Sequence, residues 1–416
     1  MITVKNLEAK WILDSRGLPT VETTIELYNT ESMNTHIAVS SVPSGASTGT
    51  HEALELRDGD KSQFGGKGVS IAVNNVNTII KDTILGNSYD TVEKLEQDIL
   101  SCDPTSNKSE LGANAILSVS MVAHRGFAMA KGVELYQFLN DTYFSNYPLE
   151  SYPRLMSNVI NGGAHADSGL AIQEFMIVPR TGNIIDDIQS ISESYHNLKS
   201  MLKAEGFSTA LGDEGGFAPH IPTTKEVLDK LVLTIGTSKA DIALDCAASE
   251  FYNNGIYKID NIEMNVNQLC DFYEDITNNY PIISIEDGYS EDDIIGWKLS
   301  TERLGKSVQL VGDDLFVTNP SRFDNLGVSQ GLANSILIKL NQIGSVSETA
   351  QVINDAKANK YTTIVSHRSG ETCDDFMSDL AFASQSEFIK LGAPARGERV
   401  AKYNRLINIY NIESNK

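Results

Sequence analysis

The chain has 416 residues, of which 41% are hydrophobic and 21% charged; this is a globular composition on a chain longer than one ordinary core supports, so a barrel-sized domain with a smaller companion is expected. Fifty-five acidic against 33 basic residues give a net charge of −22, which repels phosphate backbones and rules against nucleic acid as a partner. No apolar stretch approaches the roughly 18 residues of a membrane helix, the first residues lack a signal-peptide pattern, and Cys102, Cys246, Cys270 and Cys373 lie far apart without C-x-x-C spacing, so a cytoplasmic protein with no membrane span is expected.

Along the chain, Thr20 to Tyr28 places Val21, Thr23, Ile25 and Leu27 on one face and Glu22, Thr24 and Glu26 on the other, the period of a half-buried strand. Pro43 to Thr50 reads Pro-Ser-Gly-Ala-Ser-Thr-Gly-Thr, a flexible composition that fits either a linker or a lid folding over a phosphate. Leu111 to Lys131, rich in Ala, Leu, Met and Val and followed by Gly132, predicts a helix with a C-terminal glycine. These elements form a small α+β domain over residues 1–140, and Asn140 to Pro153 reads as the connection to a second domain over 141–416.

Beyond that connection short apolar runs each lead into an ionisable residue: Ile242–Leu244 into Asp245, Ile282–Ile285 into Glu286, Val308–Gly312 into Asp313, Ile336–Ile338 into Lys339, Thr363–Ser366 into His367, and Phe388–Ile389 into Lys390. The gaps are 41, 27, 26, 28 and 23 residues, and a spacing in the twenties is what a buried parallel strand, a helix and two loops occupy. Ser345-Val346-Ser347-Glu348 predicts a capping box opening one such helix, with Val346, Ala350 and Ile353 on its buried face. An open doubly wound sheet would carry a G-x-G-x-x-G or Walker sequence after its first strand. Neither occurs, and a (β/α) barrel with its chemistry at the C-terminal rim is the fold expected.

Asp245, Glu286 and Asp313 then converge on one point and call for a cation, for which Mg²⁺ is suited by its preference for oxygen ligands. Lys339 is the candidate base, since Lys390 and a divalent ion beside it would lower its pKa; removal of a proton next to a metal-held carboxylate is the chemistry this set suits. Glu214, inside Gly212-Asp213-Glu214-Gly215-Gly216, and Glu174, at the end of another run, would share a site and keep one proton between them. The glycines around Glu214 would let backbone approach a ligand closely. Arg368 in His367-Arg368-Ser369-Gly370 offers a guanidinium fork for phosphate.

The ordered series Asp14-Ser15-Arg16-Gly17, Ser44 to Gly49, Asn161-Gly162-Gly163-Ala164-His165, Gln173-Glu174-Phe175-Met176, Gly212 to Gly216, Ala243-Leu244-Asp245, Ser284-Ile285-Glu286-Asp287, Lys339 to Gly344, Ser366 to Thr372 and Gly392-Ala393-Pro394-Ala395-Arg396 resembles the enolase family over nearly the whole chain. Only Ala123-His124-Arg125-Gly126-Phe127 and Leu18 depart from the expected pattern. The resemblance implies an α+β domain capping a modified (β/α)8 TIM-type barrel, assembled as a homodimer or higher homo-oligomer. It implies a magnesium-dependent lyase of glycolysis and gluconeogenesis that interconverts 2-phosphoglycerate and phosphoenolpyruvate through an enediolate, with two Mg²⁺ per site, the second arriving with substrate. By motif match Lys339 would be the base and Glu214 the acid. Asp245, Glu286 and Asp313 would hold the first ion and Ser47 would help hold the second. His165, Glu174, His367, Lys390, Arg368 and Ser369 would bind substrate together with the ligands Glu286 and Asp313. Two rival readings share these residues: an enolase-like lyase acting on a phosphonate analogue, and a non-catalytic binding protein on the same fold.

Overall fold

The computed structural model describes residues 1–45, 51–236 and 239–416. The N-terminal part is an antiparallel meander, β1 (Ile2–Leu13), β2 (Pro19–Asn29) and β3 (Asn34–Ser41), with the short β4 (Ser88–Tyr89) on the far edge, in the order β3-β2-β1-β4. In β2 the alternation holds: Val21, Thr23, Ile25 and Leu27 are buried while Glu22, Thr24 and Glu26 are partly exposed. Helix Ala113–Lys131 covers this sheet and ends at Gly132, whose φ of 70° supplies the left-handed C-cap.

The segment that breaks the small-residue pattern in this helix has its own partners. Buried His124 donates from Nδ1 to the Ser120 carbonyl at 2.8 Å and accepts from the Tyr143 hydroxyl at 2.9 Å. Arg125 reaches Asp374 and Asp375 at 2.8 and 2.7 Å. Helix Leu135–Tyr143 continues past Asn140, so the irregular connection begins at residue 144, later than the sequence suggests. The Asn140 side chain is what ties it down, donating to the carbonyls of Tyr147 and Ala383 at 2.8 Å each.

The second part is a closed barrel. It is built from β5 (Arg154–Asn161), β6 (Glu174–Pro179) and β7 (Ala240–Asp245), then, after a small antiparallel sheet of β8 (Tyr252–Asn253), β9 (Ile256–Ile259) and β10 (Ile262–Asn265), from β11 (Ile282–Glu286), β12 (Gln309–Gly312), β13 (Ser335–Ile338), β14 (Thr362–Ser366) and β15 (Phe388–Lys390). The six expected runs are β7 and β11 to β15. Strands β5 and β6 complete the eight, and β6 runs antiparallel to both neighbours. That reversal is the modification of the barrel. It puts the first residue of β6, Glu174, at the rim where the other strands end, in register with Asp245. Met156, Met176, Val178, Ala243, Val311, Leu337 and Ile364 fill the interior as a packed cluster, which makes the barrel a core and leaves only its rim open.

Helix Val346–Ala358 follows the Lys339 loop and starts as expected at Ser345, whose hydroxyl accepts the Glu348 N–H at 3.3 Å, with Val346, Ala350 and Ile353 buried. The reciprocal half of the box is replaced. Glu348 turns to the Ser345 hydroxyl and to Lys108, 2.8 Å away, and the free N–H groups of Val346 and Ser347 instead meet buried Glu96 of helix Val92–Ser101, both at 3.1 Å. A carboxylate from the N-terminal part thus caps a barrel helix, where the helix dipole also favours it. Glu96→Ala leaves two N–H groups and Ser120 without that partner, and should cost about 2–3 kcal/mol. A thermal melt checks this; an unchanged Tm would contradict the cap.

Candidate active site

Strand register assembles the rim. Asp245 and Glu286 are the last residues of paired strands and lie opposite one another, with Glu174 opposite Asp245 on the other side, so three carboxylates stand side by side. Lys390, ending β15, sends its ammonium among them: Nζ lies 2.8 Å from Asp245 Oδ2, 3.0 Å from Glu286 Oε2 and 3.2 Å from Glu174 Oε1. All four side chains are buried. Burial, with the facing carboxylates of Asp245 and Glu286 on each other, pushes Glu286 well above the carboxylate range, and burial with the nearby Glu214 does the same to Glu174.

Two residues past the Glu286 level, Asp313 follows β12 and pairs with Lys339, which follows β13. Gln342 donates to the other Asp313 oxygen at 2.8 Å and accepts from Thr318, whose hydroxyl also takes the Lys339 N–H at 2.9 Å. Asp287, at a φ of 40°, accepts the Asp313 and Asp314 N–H groups at 2.9 and 2.8 Å. Eight carboxylates, Glu52, Glu174, Glu214, Asp245, Glu250, Asp287, Asp313 and Asp314, line one cavity with three basic side chains, Lys339, Arg368 and Lys390.

The chain matches the family model described as "Enolase, N-terminal domain" over residues 4–139 and the one described as "Enolase, C-terminal TIM barrel domain" over 150–415. The enolase of Elusimicrobium minutum (strain Pei191) is 48% identical over 413 residues, which is 98% of this chain and 96% of that one. The chain belongs to the enolase family. Membership makes it an enzyme, a lyase of the phosphopyruvate hydratase class.

In this enolase-family rim Glu214, His367, His165 and Glu174 line the same cavity as Lys339 and Asp313. The Gly212–Gly216 turn presents buried Glu214, and its glycines allow close packing against neighbouring chain segments. A Cβ on Gly216 would meet Asn161 Oδ1 at 2.7 Å, and Gly215 sits at a φ of 83° with its Cβ direction 3.0 Å from the Ala395 carbonyl. Glu214 accepts from Asn158 at 2.9 Å and lies 3.3 Å from His367 Nε2 and 3.5 Å from His165 Nδ1. His165 Nδ1 is also 3.6 Å from Glu174, so the two carboxyls share one histidine. Burial alone would raise Glu214; the charged forms of His367 and His165 would outweigh it and hold Glu214 well below the ordinary range. With those histidines charged, the proton of the pair would rest on Glu174.

Arg368 is already forked onto a carboxylate, Glu52, at 3.0 and 3.3 Å, and onto Asn341 at 3.1 Å. Ser369 lies beside it, with its hydroxyl 3.4 Å from Arg16 Nη1. The Asp14 to Gly17 turn clamps this region: Arg16 Nη2 donates to Ser44 Oγ at 2.8 Å and the Gly45 carbonyl at 3.1 Å.

Of the residues expected from sequence, Lys339, Glu214, His165, Glu174, Asp313, His367, Arg368, Ser369, Lys390 and Asp245 all line the cavity, and Glu286 lies behind Lys390. Ser47 falls within 46–50, outside the described residues, as does the lid reading of that loop. Among the described residues the compact oxygen group that could hold a metal ion around Asp313 is Asp287, Asp313 and Asp314, within 4.8 Å of one another. Asp245 and Glu286 are drawn onto Lys390 instead. The donors are all oxygen, Asp287 and Asp313 buried and Asp314 half-buried, and the cavity's carboxylates outnumber its basic groups, which suits a hard divalent cation. Lys339 differs from expectation: burial lowers its pKa, but the Asp313 contact outweighs it and holds it above the ordinary lysine value. Asp287, Asp314, Asn158, Gln342, Glu52 and Arg399 were not singled out from the sequence. Asp287 and Asp314 directly follow Glu286 and Asp313, and those acidic doublets were the available signal.

Lys390→Met would leave Asp245, Glu286 and Glu174 buried without their ammonium, at a cost of about 3–5 kcal/mol. Melting curves with and without Mg²⁺ check it: a lower Tm than wild type in EDTA and a larger rise on adding metal are expected, whereas equal melts would contradict the bridging role.

Proposed function

We propose that this rim catalyses the reversible dehydration of 2-phosphoglycerate to phosphoenolpyruvate, with Lys339 as base and Glu214 as acid. The observation that supports the reading is that the lysine and the Glu174–Glu214 pair line one cavity. Lys339 takes the proton from C2, and the electron pair left behind is held as an enediolate until the C3–O bond breaks. Glu214 supplies a proton to the departing hydroxide, which leaves as water, so one proton is taken and one given. His165, within reach of both carboxylates, is the route by which the two carboxyls act as one acid. Arg368 exchanges the Glu52 carboxylate for the substrate phosphate, which its fork fits equally well, and Ser369 lies beside it to bind the same group.

Asp245, Glu286 and Asp313 are the residues to hold the first Mg²⁺, and Ser47 to help hold the second. Bound there, the cations would neutralise the substrate carboxylate as further charge develops and would draw Asp313 away from Lys339, freeing the base. The reading extends to a glycolytic and gluconeogenic role in the cytoplasm, to a homodimer or higher homo-oligomer, and to a capping domain that gives way to the barrel domain within residues 140–153. Family membership supports these points.

Absorbance of phosphoenolpyruvate on mixing the protein with 2-phosphoglycerate and Mg²⁺ tests the proposal. Turnover that EDTA abolishes and Mg²⁺ restores is expected. Turnover of a phosphonate analogue with none of 2-phosphoglycerate, or no turnover of either, would overturn it.

A further inference from the structure

Helix Gly397–Glu413 carries a fully buried arginine, Arg399, that no step above uses. Its Nη1 is 2.7 Å from His367 Nδ1 and 2.5 Å from the Arg368 carbonyl; its Nη2 is 2.7 Å from the Ser369 carbonyl and 3.3 Å from that of Asp213. A guanidinium has five N–H donors and no lone pair to give, and it stays charged at any working pH. The imidazole nitrogen it meets must therefore be the acceptor. An imidazolium has no acceptor nitrogen, and the tautomer with its proton on Nδ1 would set N–H against N–H. A single arrangement satisfies the contact, the neutral ring with its hydrogen on Nε2, and Nε2 is the atom 3.3 Å from Glu214.

We propose that Arg399 is a positioning residue that fixes His367 as the neutral, Nε2-protonated tautomer facing Glu214. The groups around the ring agree. Lys390 and Arg399 are cations that disfavour a second positive charge on His367, and Glu214 is the carboxylate that favours it. His165 and Glu174 lie beyond Glu214 on the far side. Burial is the largest influence and holds the histidine down at about 4.

The consequence rests on the proposed division of acid and base. A protonated His367 at this distance would keep Glu214 permanently ionised and the shared proton permanently on Glu174, so Glu214 could not act as the acid. A neutral N–H donor can bond to the carboxylate that Glu214 becomes on giving up its proton, without adding a charge that forbids reprotonation. The same guanidinium ties the carbonyl before Glu214 to those of Arg368 and Ser369, so the acid's turn and the phosphate segment are held by one side chain.

Imidazole ¹⁵N NMR of the full-length enzyme without substrate tests the proposal, the His367 signals being assigned by their loss in His367→Gln. The wild type should show a protonated Nε2 and an unprotonated Nδ1, unchanged from pH 8 to pH 5. In Arg399→Met the ring should titrate at least one pH unit higher, towards the ordinary value near ~6.5, and the pH–rate profile should gain a loss of kcat on its acid side. Arg399→Lys, which keeps a charge and a donor, should stay closer to the wild type in both. A wild-type ring that is doubly protonated at pH 7, or protonated on Nδ1, overturns the proposal, as does an Arg399→Met protein that folds and leaves the His367 titration unmoved. If Arg399→Met does not fold, the wild-type spectrum decides alone. Since that spectrum needs no turnover, the expected tautomer in a protein inactive on 2-phosphoglycerate would leave this assignment standing while the functional proposal fell.

Discussion

Carboxylates crowded at a buried rim are expensive to keep ionised, because each loses its water and faces others of the same sign. The barrel makes this crowding unavoidable, since register places Glu174, Asp245 and Glu286 on three consecutive strands. The compensation is distributed. Lys390 bridges all three, burial and the neighbouring Glu214 favour the protonated form of Glu174, and Asp313 takes Lys339. These ammonium groups satisfy the same charge demand that a divalent cation would meet. A rim arranged in this way is held in one pattern of partners and is ready to exchange them, which is the electrostatic condition for moving a proton at neutral pH.

The N-terminal part is built into this arrangement. Arg16 holds Ser44 and Gly45 against the Ser369 segment, Glu52 occupies the Arg368 fork, and Glu96 caps the helix that follows the Lys339 loop. Arg16 crosses to the barrel through the Ser369 hydroxyl, while Glu52 and Glu96 join the N-terminal part directly to Arg368 and to the helix after Lys339. Charge complementarity explains two of the partners: the Glu52 carboxylate meets a guanidinium and the Glu96 carboxylate meets backbone N–H groups.

Much of this was legible in the sequence because parallel barrel strands are continuous apolar runs and their C-terminal ends carry the chemistry. Six runs ending in Asp245, Glu286, Asp313, Lys339, His367 and Lys390 are six barrel strands. The other two escaped that reading for a physical reason. Strand β5 ends in Asn161, which is not ionisable, and β6 runs backwards, so Glu174 stands at its start and Pro179 at its end. The roles of supporting residues were less legible still. Arg399 lies in a helix 32 residues beyond His367, and nothing in local periodicity marks its side chain as turned inward. The raised pKa of Lys339 likewise depends on the Asp313 carboxylate meeting its ammonium and outweighing burial and the Arg368 charge, a matter of side-chain placement that spacing does not encode.

The central claim is that two separate groups divide the proton work, and exchange of the C2 hydrogen of 2-phosphoglycerate with deuterated solvent tests it most directly. Lys339→Ala should lose both exchange and dehydration by at least the ~10²–10⁴-fold typical of a general base. Glu214→Gln should lose dehydration by a similar factor and keep exchange, because the enediolate still forms and is reprotonated at C2. A Glu214→Gln protein that is folded by circular dichroism yet has lost C2 exchange would contradict the division and place Glu214 with the groups that remove the C2 proton.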